Sequence, residues 1–154
     1  MKRNWQDFIA ERAKHLAFVH LTRCEDLRVK RLTAADTEMD MLVTLQQYSL
    51  PTSRFFGVQA KARDVKLASS PCWTRQEIHR LKETPFPLYL FLFFMDDDRG
   101  YYQWLNDPDA SPDRTLCLPQ GTQLNGWHPL AKDSINQIAD EANAWYDAKR
   151  SSVA

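Results

Sequence analysis

The chain predicts an α/β (α+β) domain in which helices flank a mixed central sheet, in the order α-β-β-β-α-β-β-β-α. Three observations lead there. Strand-like runs with short polar connections fill residues 26–62, a wholly apolar run occupies 88–94, and helical spacing recurs at both ends. Residues 4–149 read as a single domain, with 150–154 as a C-terminal tail. At 154 residues, 44% hydrophobic and 26% charged, the chain can bury a real core and does not have a disordered composition.

Residues 4–21 form the first predicted helix. Asn4 caps it, and Asp7 adds negative charge to the first turn, where the helix dipole favours it. Trp5, Phe8, Ile9, Arg12, Leu16 and Val19 recur at helical spacing as one stripe, with Glu11 on its shoulder. Strands follow at 26–33, 39–46 and 55–62, an antiparallel meander. A second helix opens with Thr74-Arg-Gln-Glu77, a capping box, with Trp73 ahead of it and Pro85 and Pro87 behind. The run 88–94 lacks polar alternation, so both its faces should be covered. Asp96, Asp97 and Asp98 with Gly100 read as a turn rather than a metal site, because successive side chains diverge. Tyr101 to Leu105 returns as a strand, 114–118 as a short one, and 122–128 as an irregular connection. The last helix spans 129–149, burying Leu130, Ile135, Ile138, Ala142 and Trp145.

Charge excludes little by its sum, which is zero, but its distribution is uneven. Residues 1–84 carry 15 Lys/Arg against 10 Asp/Glu, and the remainder 5 against 10. A basic first half can attract a polyanion. Cys24, Cys72 and Cys117 are widely spaced and form no CxxC pair, which argues against a zinc site and a disulfide framework. The opening residues lack an apolar signal region, and no run is long enough to span a membrane. A cytoplasmic location is expected, with no membrane partner.

The chemistry concentrates at the second and third strands. Alternation puts Gln59 and Lys61 on one face of their strand, with Val58 and Ala60 on the other. Asp40, Leu42 and Thr44 likewise oppose Met41, Val43 and Leu45. With the two apolar faces aligned, Asp40, Gln59 and Lys61 meet at one end of the hairpin. An acid, an amide oxygen and a backbone carbonyl suit a hydrated divalent cation, and a nearby lysine suits a phosphate. The expected metal ligands are Asp40, Gln59 and the carbonyl of Ala60. Lys61 would steady the phosphate, with Glu11 as a further carboxylate. The plainer reading of the same residues is a solvated hairpin end where Asp40 pairs with Lys61, worth at most about 1 kcal/mol.

Helix with Glu11, strand with Asp40, strand with Gln59-Ala60-Lys61: this order resembles the core of the PD-(D/E)XK superfamily of restriction-endonuclease-like nucleases. The glutamine variant is similar to Mrr-type restriction enzymes, and the spacing to archaeal Holliday-junction resolvases. The likeness is strongest to a bacterial family of uncharacterised domains in that superfamily. Their VQxK-like strand leads through a helix and a Pro-rich break to an apolar strand and a Tyr/Trp-rich one, here Pro85 to Phe91 and Tyr101 to Leu105. The likeness spans roughly residues 5–130. It departs where Gln59 replaces the usual acid and where Glu38-Met39 precedes the aspartate. The resemblance implies Mg²⁺- or Mn²⁺-dependent cleavage of DNA, in a defence or mobile-element setting, with Asp40, Gln59, Lys61 and Glu11 as catalytic residues. The alternative is a catalytically silent module on the same fold, binding nucleic acid or a protein partner with aromatics such as Trp73, Trp104 or Trp127. With no separate reader domain in 154 residues, specificity would come from a homodimer, a partner or the loops.

Overall fold

The computed structural model describes residues 4–33, 38–48, 50–64, 73–109 and 126–152. Its elements run α1 (Trp5–Leu21), β1 (Leu27–Arg31), β2 (Met41–Gln47), β3 (Leu50–Arg63), α2 (Arg75–Lys82), β4 (Leu88–Phe94), β5 (Gly100–Trp104), β6 (His128–Pro129) and α3 (Ser134–Ser152). This is the mixed α+β order that the sequence predicts. The six strands among the described residues join one sheet in chain order. β1, β2 and β3 pair antiparallel; β3 and β4 pair parallel, linked by the crossover that carries α2; β4, β5 and β6 pair antiparallel again. The predicted strand at 114–118 lies outside the described residues. Among the described residues the sixth strand is the short His128–Pro129, where the sequence reads the end of an irregular connection and the start of the last helix, which begins at Ser134.

Two cores sit on opposite faces of the sheet. Tyr89, Phe91 and Phe93 of β4 pack with Met41, Val43, Leu45, Phe56, Val58 and Ala60 beneath α1 and α3. Leu88, Leu90 and Leu92 point the other way, toward Leu81 of α2 and Trp73, Tyr101, Leu105 and Trp127. β4 is therefore covered on both sides, as its unbroken apolar run requires.

α1 departs from its expected facing. Its sheet side is Ala13, Ala17 and Leu21, all fully buried, while Trp5, Phe8 and Val19 of the predicted stripe are 51%, 39% and 50% exposed. Small alanines let the helix approach the sheet closely, and the larger side chains turn outward. The third strand also starts earlier than its hydrophobicity indicates. The hairpin tightens at Tyr48, which adopts a left-handed φ of 53°, so pairing resumes at Gln47 and Leu50. α3 continues to Ser152, through residues read from the sequence as tail. Among the described residues no helix is long and apolar enough to cross a membrane.

Candidate functional site

The site forms where β2 begins beside the middle of β3. Met39 packs into the α2-side core and Met41 into the α1-side core, so the chain reorients between them. Gly57 leaves room for this, since a Cβ there would run into Met39 Sδ. Asp40 N donates to the Val58 carbonyl, and the Asp40 carbonyl accepts from Leu32 N, tying the residue to β3 and to the end of β1. Its carboxylate does not follow the alternation that would put it beside Gln59. Oδ2 accepts from Ala60 N at 2.7 Å, and Oδ1 lies 3.7 Å from Lys14 Nζ of α1. Burial pushes the Asp40 carboxyl above its usual range, against the opposing pull of the Ala60 amide, Lys14 and Lys61.

Asp40 and Glu11 line a single groove of about 670 Å³ between α1 and the ends of β1 and β2, together with Asp7, Lys14, His15 and Arg31. Two of the four residues expected to act together thus line one groove. Lys14 joins them from three positions after Glu11 on the same helix edge, a spacing that by itself does not point to Asp40.

Gln59 and Lys61 occupy the opposite face. Gln59 is buried, its Oε1 accepting from Trp73 Nε1 at 2.6 Å and its Nε2 donating to the Glu38 carbonyl at 2.9 Å. This bridge pins the segment before Asp40 to Trp73, the residue ahead of the α2 N-cap. Lys61 Nζ lies 2.8 Å from Glu77 Oε2, above the Trp73 ring. Glu77 therefore does two jobs. Its Oε1 accepts from Thr74 N in the capping box, and its Oε2 holds Lys61. The capping box is visible in sequence; the lysine partner is a tertiary contact with no local signal. Burial raises the Glu77 carboxyl, but hydrogen bonds from Lys61 and Thr74 outweigh it and leave the group below its usual range.

Trp73 and Trp127 are buried and stacked on each other at 5.8 Å, and Trp104 is half-buried, so none of these is a surface platform. Asp98 ion-pairs with Arg12 of α1 in the predicted turn, and His79 is exposed on α2. Cys24 is a free thiol whose Sγ donates to Asn136 Oδ1; Cys72 and Cys117 lie outside the described residues.

As a metal centre the expected trio fits unevenly. Among the described residues no three His, Cys, Asp or Glu side chains cluster at metal-binding distance. Mg²⁺ needs less, because it keeps several waters and takes one or two carboxylates plus substrate oxygens. Asp40 and Glu11 are the carboxylates of the expected set that line the groove, Asp40 with Oδ2 on the Ala60 amide and Oδ1 near Lys14. The Gln59 oxygen is already engaged by Trp73 inside the opposite core. No known family model, no curated protein and no solved structure matches the chain.

Proposed function

We propose that this domain is a Mg²⁺-dependent nuclease of the PD-(D/E)XK type that cleaves DNA. One observation carries the reading: the Asp40 carboxylate bonds the amide of Ala60, between Gln59 and Lys61, while facing a groove that also holds Glu11 and Lys14. Asp40 and Glu11 would hold the ion, which when bound supplies Lewis-acid polarisation of a phosphoryl oxygen. Lys14, half-exposed beside Asp40, would bind the incoming phosphate. Lys61 adds positive potential at Asp40 from the other side of the strand, a smaller offset to its burial than the Ala60 amide and Lys14. Gln59 is a positioning residue here. It fixes residues 38–40 through the Glu38 carbonyl and leaves ion binding to the carboxylates. The cytoplasm and a defence or mobile-element role are consistent settings.

A second reading is favoured by the engagement of Gln59 with Trp73 and of Lys61 with Glu77. On that reading the domain binds nucleic acid through the basic groove edge, Lys14, His15 and Arg31, and does not cut.

Plasmid nicking with Mg²⁺ or Mn²⁺, run beside DNA-binding anisotropy, separates the two. The nuclease reading expects cleavage by the parent chain and at least about a hundredfold loss in Asp40→Ala and Lys14→Ala, the scale of a lost transition-state electrostatic group, with a smaller loss in Lys61→Ala. Binding with metal present and no cleavage under any condition leaves the silent module. Neither binding nor cleavage removes nucleic acid as the partner.

A further inference from the structure

β1 is one outer edge of the six-stranded sheet, paired with β2 on its inner side. Its ladder fixes which backbone groups face outward. Leu32 N donates to the Asp40 carbonyl, and the Asp26 carbonyl accepts from Gln46 N, so the even-numbered residues exchange hydrogen bonds with β2. Val29 and Arg31 therefore turn their amides to the open edge.

Side chains divide between the two faces of this edge. Val29 pairs with Val43 and packs on the α1-side core. Arg31 shares that face and lines the Asp40 groove. Its guanidinium lies 4.2 Å over the Phe18 ring, with Nη2 3.4 Å from His15 Nδ1, so an aromatic ring holds the cation in place. Arg28 and Lys30, opposite Thr44 and Leu42, project from the other face. The residues beside them across the sheet, Thr44 and Leu42 of β2 and Phe55 and Gly57 of β3, carry no charge.

Pairing sets these cations apart from others in the molecule. Arg12, Arg54, Lys61, Arg80 and Arg99 each hold a carboxylate. Arg28, Lys30 and Arg31 are exposed, and among the described residues none of the three forms an ion pair. A charge on an edge strand also guards it against pairing with another chain. That role does not need cations on both faces, nor ones that continue into a groove with Lys14 and His15. The surplus is matched by an anion.

We infer that the β1 edge holds the two backbones of duplex DNA, Arg28 and Lys30 on the phosphates of one strand and Arg31 on those of the other. A duplex groove is bordered by two backbones, so a narrow edge lying along it meets phosphates on both sides. A single strand would follow one line of cations. The outward amides of Val29 and Arg31 are further phosphate donors. This rests on the reading of the Asp40 groove as a nucleic-acid site and names the surface that sets the duplex against it. Asp40 and Glu11 then face the strand held by Arg31. Exposed Glu25 and Asp26, just before β1, end the strip.

Fluorescence anisotropy of a labelled duplex of about 20 base pairs, in EDTA across about 50–200 mM salt, tests this without cleavage. The plot of log affinity against log salt should become shallower by about 0.9 in Arg28→Ala, and by about 0.9 again when Lys30→Ala is added, one phosphate contact each. At physiological salt the double variant should bind about tenfold more weakly or worse. Arg28→Lys keeps the charge and should keep the slope. Lys132→Ala with Arg150→Ala removes the same charge at exposed positions elsewhere and should change neither quantity. Unaltered circular dichroism and melting would show that each fold is intact. An unchanged slope in the β1 variants, an equal loss in the Lys132 and Arg150 control, or tighter binding to one strand than to the duplex would each overturn the inference alone. A parent chain that binds neither probe would end it together with the reading it rests on. Binding that depends on β1, with no nicking in Mg²⁺, would leave it standing and end only the nuclease reading.

Discussion

The two sides of the β2–β3 pair handle polar groups in opposite ways. On the α1 side, Asp40 faces a groove and its carboxyl is raised by burial. On the α2 side, Gln59, Trp73, Lys61 and Glu77 form a closed set in which donors meet acceptors and charges are paired. The closed side sets position, because its hydrogen bonds hold residues 38–40 against β3. The open side holds a carboxylate at an energetic disadvantage, a common mark of a functional position. A closed polar set and an open carboxylate are thus divided across the thickness of one sheet.

The comparison breaks most visibly at Trp73. Trp73→Ala should cost about 3–5 kcal/mol through lost packing, with the Gln59 oxygen also left without its indole. Urea titration would measure it, and a loss under about 1 kcal/mol would mean that the α2 side is not sealed. Gln59→Leu comes next, at about 1–3 kcal/mol, since the Trp73 N–H and the Glu38 carbonyl both lose their partner. The same variant should also raise amide exchange around residues 38–40.

The two carboxylates sharpen the contrast by titrating with opposite signs. Glu77 is depressed when folded, so its contribution is present above its ordinary value of 4.5 and is lost as pH falls through the lower folded value. Glu77→Gln should therefore lower stability by up to about 1 kcal/mol at neutral pH and by nothing measurable in strong acid. Asp40 is raised when folded, so its ionised form is a cost at neutral pH. That cost is relieved as pH falls through the raised value, and the effect is complete below its ordinary 3.8. Asp40→Asn, which still offers an oxygen to Ala60 N, should melt at a higher temperature than the parent at pH 7, with the gain gone below that range. A lower melting temperature at pH 7 would show that the ionised carboxylate stabilises the fold there, against its raised direction.

Much of the architecture is legible in the residues themselves. The run Leu88–Phe94 declares a strand covered on both sides, and Thr74 with Glu77 declares the start of α2. Periodicity also finds the stripe on α1, but periodicity does not say which way a stripe faces. The sheet-facing alanines carry little hydropathy and are overshadowed by Trp5 and Phe8. β6 is two residues paired with Tyr101 and Tyr102, too short to leave a pattern. At the site, alternation places Gln59 and Lys61 correctly on one face. It misplaces Asp40, because the reorientation between Met39 and Met41 depends on space above Gly57, a tertiary fact. Lys14 and Glu77 join for the same kind of reason, each brought in by a helix that the local sequence cannot dock.

β3 has a kinetic implication of its own. Its neighbours on either side are reached by very different lengths of chain: β2 through a tight hairpin, β4 only after the crossover carrying α2 has closed. Closing the longer loop spends more chain entropy before any contact rewards it, so the hairpin forms early and the parallel seam is the slow step of assembly. Until that step is complete, β3 presents a free hydrogen-bonding edge along Gly57 to Arg63, the stretch that carries Gln59 and Lys61. Misassembly of the nascent chain should begin there.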